Sequence, residues 1–114
     1  MSTKDPTAPS ALLTAPGRAL LQRVAIAADS PFRLRLLGLL AERAYSVQEL
    51  TGALGHPPSA VSTQLGILRR VQLVHYRAES PRRFYRLATE ETAGQAVWAL
   101  VAVLVRAQAQ GPRP

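Results

Sequence analysis

The chain has 114 residues, 47% of them hydrophobic, which suits one small domain and leaves no room for two. It carries 14 Lys and Arg against 7 Asp and Glu, a net charge of +7, which favours a polyanionic partner, either nucleic acid or an anionic membrane surface. The absence of cysteine excludes disulfides, thiolate catalysis, thiol redox sensing and thiolate metal sites.

The two ends of the chain predict unstructured segments. Residues 1–10 are polar and proline-rich and predict a disordered arm that lacks the apolar stretch of a secretory signal. Residues 110–114 predict a frayed end, so that one domain remains over residues 11–109. The longest apolar run, residues 96–105, is too short to cross a bilayer, and an intracellular, cytoplasmic protein is therefore expected.

The first part of the domain predicts two helices. Apolar residues at roughly helical spacing indicate a helix over about residues 16–28. Ser30 is a good N-cap, and Pro31 suits the first helical position because its missing N–H costs nothing there. A second helix, apolar on a broad face, is therefore predicted to run from Pro31 to about Ala41.

Two further helices follow with a tight turn between them. The segment Ser46-Val47-Gln48-Glu49 fits a capping box, which begins a helix over residues 47–54, and Gly55 ends it. After the turn His56-Pro57-Pro58, a fourth helix is predicted from Pro58 or Ser59 to Arg70, with its apolar residues facing inward.

The pattern then changes to a hairpin and a final helix. Residues 73–77 and 83–87 are rich in β-branched and aromatic residues, with a Glu-Ser-Pro turn between them, and predict two strands. Glu90, Glu91 and Thr92 are predicted to begin the last helix, which continues to about Gln108. This helix is apolar nearly all round and must be covered on more than one side, which indicates a dimer.

This order of elements predicts a mainly α protein, a winged helix-turn-helix with four helices, a small β-hairpin and a fifth helix. The fourth helix is the candidate for the major groove because its first turns carry small polar side chains, namely Ser59, Ser62, Thr63 and Gln64. The candidate contacts to phosphate or the minor groove are Arg69, Arg70, Arg77, Arg82 and Arg83. Arg82 lies nearest the hairpin tip and is predicted to enter the minor groove, whereas Arg86 is expected to lean on the domain.

Four segments in order resemble the ArsR (SmtB-like) bacterial winged-helix regulators. Residues 28–37 (ADSPFRLRLL) are similar to the family's LADPTRLRIL, and residues 50–55 (LTGALG) to its LAxALG. Residues 61–69 (VSTQLGILR) are similar to its VSxHLKxLR, and Leu73-Val74 with Phe84-Tyr85-Arg86-Leu87 to its wing strands. The chain differs at Pro57-Pro58 and Gly66, where the family often has a base-reading Gln and a phosphate-binding Lys.

The resemblance implies an operator-binding regulator, more often a repressor, that binds a pseudo-palindromic site as a homodimer. It implies a dimer interface built by the first and last helices, with Leu20, Leu21, Val24, Val97, Trp98, Leu100, Val101 and Leu104 as its candidate residues. No membrane partner and no cofactor are expected, and the effector is not revealed. No catalytic residue is predicted: Ser46 is a cap, and Glu90 and Glu91 are explained by the helix start.

Both metal sites that recur in this family are absent from the sequence. Ser46-Val47-Gln48 stands where many relatives have Cys-Val-Cys, and residues 92–110 contain no His, Asp, Glu or Cys. The two histidines, His56 and His75, are interpreted as surface residues. An alternative is a nickel or zinc site that combines a histidine with Asp29, Glu79 or a terminal carboxylate.

Two other functions can be set against DNA-dependent regulation. One is a winged-helix module that docks on a protein partner and binds DNA weakly, which Pro57-Pro58 and Gly66 favour because they weaken the expected groove contacts. The other is membrane-surface binding by the last helix, which the absence of a basic face disfavours.

Overall fold

The computed structural model describes residues 15–90 and 92–109, and within them the chain forms five helices and three strands. The predicted arm over residues 1–10, the predicted frayed end over 110–114 and Glu91 lie outside these residues. The elements in chain order are α1 (Ala15–Ala28), α2 (Pro31–Leu40), β1 (Tyr45–Ser46), α3 (Val47–Leu54), α4 (Pro58–Arg70), β2 (Val74–Glu79), β3 (Arg82–Leu87) and α5 (Thr92–Ala109). This is the predicted winged helix-turn-helix order with one added strand.

The N-terminal ends of α2 and α3 are capped as the sequence predicts. The Ser30 side chain accepts a hydrogen bond from the Arg33 backbone N–H at 3.2 Å, and Pro31 occupies the first turn. At α3 the Glu49 N–H donates to Ser46 Oγ at 3.1 Å, while the Ser46 N–H donates to Glu49 Oε1 at 2.9 Å. Both partners of the capping box are therefore satisfied.

The sheet has three strands instead of the predicted two. The short strand β1 pairs antiparallel with β3, with Tyr45 opposite Tyr85 and Ser46 opposite Phe84. The predicted hairpin is present and longer than expected, since β2 and β3 stay paired as far as Glu79 and Arg82. The sheet order is β1-β3-β2, so that β3 joins the wing to the segment that leads into α3.

The C-terminal end of α4 is held by a left-handed residue that is not glycine. Gln72 has a φ of 60°, the Leu73 N–H donates to the Leu68 carbonyl at 3.0 Å, and the Gln72 N–H donates to the Arg69 carbonyl at 2.9 Å. These bonds form a Schellman-type end, which turns the chain from α4 directly into β2. The wing is thereby fixed to the helix that precedes it.

One apolar core joins all the helices, and its largest fully buried side chains are Leu36, Leu37, Leu50, Val61, Leu65, Leu68, Leu73, Val97 and Val101. Helix α5 packs against both α1 and α2. Val97 and Val101, predicted for the dimer interface, have no exposed surface in the single protomer. That assignment was wrong, because the inner face of α5 is covered by the protomer's own helices.

Candidate nucleic-acid interface

Helix α4 exposes one polar face opposite its buried apolar face. Val61, Leu65 and Leu68 are buried, whereas Ser59, Ser62 and Thr63 are exposed. The Thr63 hydroxyl donates to the Ser59 carbonyl at 2.9 Å, which leaves its oxygen lone pairs and methyl group for other contacts. Small side chains of this kind allow a helix to approach the floor of a major groove closely.

Gln64 differs from the three hydroxyl residues because it is half-buried and already paired. Its Oε1 accepts a hydrogen bond from Arg33 Nη1 at 2.8 Å, and Arg33 Nε donates to the Ile26 carbonyl at 2.9 Å. Sequence reasoning missed Arg33, since a residue 31 positions away gives no local signal of this contact.

The end of α4 and the wing meet at an aromatic ring. The guanidinium groups of Arg69 on α4 and Arg83 on β3 each lie 4.6 Å from the centroid of the Tyr76 ring. Tyr76 in turn contacts Tyr85, with ring centroids 5.3 Å apart. A guanidinium that stacks on a ring leaves the N–H donors in its own plane able to bind phosphate. This stack can therefore hold two predicted DNA-contacting arginines in place.

The remaining predicted arginines lie on the wing and at the end of α4. Arg82 and Arg70 are exposed, and Arg77 lies 3.8 Å from Glu79 in a solvent-exposed ion pair. Glu79 is the only acidic residue between Arg69 and Arg86. The positive charge of this surface is thus reduced at one position only.

The structure brings the recognition helix and the wing together around one cleft. Ser62 of α4 and Arg82 and Arg83 of the wing line the same open cavity of about 450 Å³. The first residues of α3 complete its wall, among them Gln48. Residues with hydroxyl, amide and guanidinium groups therefore line one cavity, and these are the types of group that contact nucleic-acid phosphates and sugars.

Residues 30–76 match the family model described as "Bacterial regulatory protein, arsR family". The chain is 41% identical over 73 residues to the biofilm growth-associated repressor of Agrobacterium fabrum, covering 64% of this chain and 62% of that protein. It is 39% identical over 80 residues to the repressor of the same name from Xylella fastidiosa, covering 70% of this chain and 69% of that protein. The chain belongs to the arsR family.

Solved structures agree with this membership. HlyU from Vibrio cholerae superposes with a TM-score of 0.68 and 31% identity, covering 82% of this chain and 96% of that chain. The homodimeric winged helix-turn-helix DNA-binding domain Mb0332 from Mycobacterium bovis gives a TM-score of 0.65 at 27% identity, covering 99% and 94%. The predicted fold and the predicted class, a DNA-binding transcriptional regulator, are confirmed.

The arsR-family protein also has an apolar surface on α1 and α5. Within residues 15–90 and 92–109, the large hydrophobic side chains that stand out as exposed are Leu21 (49%), Ile26 (41%), Val103 (58%) and Leu104 (41%). Leu20, Val24, Leu100 and Trp98, also predicted for the interface, are partly buried. Ile26 and Val103 were not among the predicted interface residues. No helix in the described part is both long and apolar enough to span a membrane.

Both histidines of this arsR-family chain contact its own residues. His56 stacks on Phe32, with ring centroids 4.2 Å apart, and so fixes the α3–α4 turn to the start of α2. His75 Nε2 lies 3.1 Å from Glu90 Oε1. In the part of the chain that the structure describes, no three His, Cys, Asp or Glu side chains are gathered as a metal would require. The alternative of a nickel or zinc site finds no support there.

Glu90 does not belong to the helix that it was predicted to begin. Helix α5 begins at Thr92, and Glu90 Oε2 instead accepts a hydrogen bond from Arg86 Nη2 at 2.8 Å. A hydrogen bond from its own backbone N–H, then the hydrogen bond with His75 and the positive charge of Arg86, lower the pKa of Glu90 below its ordinary value. Arg86 is therefore bound to the body of the domain, as expected.

Proposed function

We propose that this protein is a cytoplasmic repressor that binds a pseudo-palindromic operator as a homodimer. The observation that carries the proposal is the shared cleft, in which Ser62 of α4 and the wing arginines Arg82 and Arg83 line the same space. Hydroxyls on α4 would meet base edges, while Arg69, Arg70, Arg77, Arg82 and Arg83 would meet phosphates or the minor groove. The cytoplasmic location follows from the proposed target, the bacterial chromosome.

The homodimer is supported by the apolar surface formed by Leu21, Ile26, Val103 and Leu104. These side chains are exposed on two helices that pack against each other, and a second copy would remove apolar surface on both helices from water. A patch of exposed apolar residues on a folded protein often marks a surface that binds another protein. Two protomers joined here would present two α4 helices to half-sites about one helical turn, or 34–36 Å, apart.

Binding to a duplex from the region upstream of the protein's own gene tests the function directly. Fluorescence anisotropy is measured with heparin and a random duplex as competitors. We expect the upstream duplex to resist both competitors, and Arg70→Ala to weaken binding to every duplex. The matched control is Arg35→Ala on α2, an exposed arginine that does not line the cleft, which should leave binding unchanged. Equal competition by random duplex would favour the protein-docking module instead.

Sedimentation measurements test the dimer. Val103→Asp places a charge on the most exposed apolar side chain of α5 and should give monomers that bind DNA weakly. Ala53→Asp, at an exposed position of α3, is the control and should remain dimeric. A wild-type protein that sediments as a monomer at the concentrations used for DNA binding would contradict the proposed assembly.

A further inference from the structure

Arg33 joins α1 and α4 through its guanidinium group. Its Nε donates to the Ile26 carbonyl at 2.9 Å and its Nη1 donates to Gln64 Oε1 at 2.8 Å. Its own backbone N–H is fixed by the Ser30 cap at 3.2 Å. Both Arg33 and Gln64 are half-buried, so water competes for this contact less than it would at an open surface.

The chemistry of the two side chains determines which end of the Gln64 amide faces Arg33. A guanidinium has five donors and no acceptor, so only the amide carbonyl can bind it. The NH₂ group occupies the other branch of the amide plane and carries two donors. A glutamine that reads adenine needs both ends, the NH₂ for N7 and the carbonyl for the N6 amino group. Here one lone pair of the carbonyl oxygen already accepts from a charged partner, which fixes the direction of the carbonyl toward Arg33.

We propose that Arg33 is a positioning residue that sets operator preference by fixing the Gln64 amide, with its carbonyl turned toward Arg33 and its NH₂ group left to donate to a base. Gln64 then favours base acceptors without an adjacent donor, which are guanine O6 and N7 and thymine O4, over the adenine edge. The proposal rests on the proposed function, since it requires α4 to lie in a major groove. It adds to that function a specificity determinant on α2, outside the helix-turn-helix itself.

Selection from a randomised duplex library tests this with wild type, Arg33→Met, Gln64→Ala and the double variant. Wild type should select guanine or thymine over adenine at one position of each half-site. Arg33→Met should reduce that preference by about two- to tenfold, the effect of one net hydrogen bond, while binding to other positions is unchanged. Gln64→Ala should abolish the preference, and the double variant should behave like Gln64→Ala alone.

Two further variants separate positioning from a general structural effect. Gln64→Glu keeps an acceptor for Arg33 but removes the NH₂ donors, and it should lose the preference as fully as Gln64→Ala does. Arg35→Met, at an exposed position two residues from Arg33, should change nothing. A fold defect would instead lower affinity for all sequences equally.

Several results would overturn the proposal. The first is that wild type selects adenine at the position that Gln64→Ala affects. The second is that Arg33→Met weakens binding to all duplexes uniformly. The third is that the effect of Arg33→Met persists in the Gln64→Ala background, which would mean that Arg33 touches DNA itself. If wild type discriminates among duplexes and Arg33→Met discriminates equally well, this inference alone fails. If wild type binds no duplex above the heparin-competed background, the DNA-binding function fails and this inference fails with it.

Discussion

The Tyr76 ring offers a direct test of how the wing is held for DNA binding. Arg69 and Arg83 each lie over this ring at 4.6 Å, so Tyr76→Leu removes two cation–π contacts from each protomer while every positive charge stays. Each contact is worth about 0.5–1 kcal/mol at an exposed site. A dimer contains four of these contacts. If their whole energy serves to order the arginines for DNA binding, Tyr76→Leu reduces the binding free energy by at most about 2–4 kcal/mol.

That range corresponds to a Kd that rises by roughly 30- to 1,000-fold for the full effect. We expect the slope of log K against log salt to stay the same, because the number of cations available to phosphates is unchanged. Tyr76→Phe keeps the ring and is the matched control, with affinity close to wild type. Urea unfolding of both variants checks the loss of the contact with Tyr85. A Tyr76→Leu protein that is folded and binds DNA as tightly as wild type would refute the reasoning.

Four other substitutions test further features of the structure. Arg82→Ala should lower the salt slope of DNA binding by about 1.8, one phosphate per protomer at 0.9 each, measured by anisotropy; an unchanged slope would remove Arg82 from the interface. The pKa of Glu49 is held below 4.5, first by the Ser46 backbone N–H, so folding favours the carboxylate; its stabilisation is present near neutral pH and is lost as pH falls through the lowered pKa. The urea midpoint of unfolding should therefore fall less on acidification in Glu49→Gln than in wild type. An equal fall in both proteins would contradict a contribution of this carboxylate to stability. Gly94→Ala should lower the free energy of unfolding by about 1–3 kcal/mol or more, because the new methyl group would overlap the backbone carbonyl of Ala88. Gly66→Ala meets open space and should stabilise the protein by about 0.5–1 kcal/mol, and equal urea midpoints for the two variants would show the reasoning to be wrong.

The features that could be predicted from sequence are those whose cause is local. Ser30-Pro31 and the Ser46 capping box determine where α2 and α3 begin, because the side chain and the backbone group that it satisfies are three residues apart. Gly55 ends α3 with a φ of 70°, a conformation that favours glycine. The wing strands follow from their β-branched and aromatic composition, and pairing only extended them toward the tip.

Strand β1 illustrates what local patterns do not contain. Two residues give no period, and Tyr45 and Ser46 pair with β3 only because the fold brings the free edge of that strand to them. The division of α5 into a face buried in the protomer and an exposed face is a similar case. A helix that is apolar on all sides must be buried on several of them. Which of these sides is buried within one protomer depends on where α1 and α2 pack. Val97 and Val101 therefore belong to the core, whereas Val103 and Leu104 are exposed.

The arginines show why charge in a sequence overstates charge at a binding surface. Arg23 donates to the Val71 carbonyl at 2.9 Å, Arg33 binds Gln64, and Arg86 binds Glu90. Each of these contacts uses guanidinium geometry to fix one element to another, and a count of basic residues cannot separate this use from phosphate binding. What separates them is long-range: an arginine that donates a hydrogen bond to a group on another segment of the fold serves to hold the two segments together. The wing differs because Arg82 and Arg83 are exposed and line one cleft with Ser62 of α4, so the case for a nucleic-acid surface depends on where the charge lies and not on the net charge of +7.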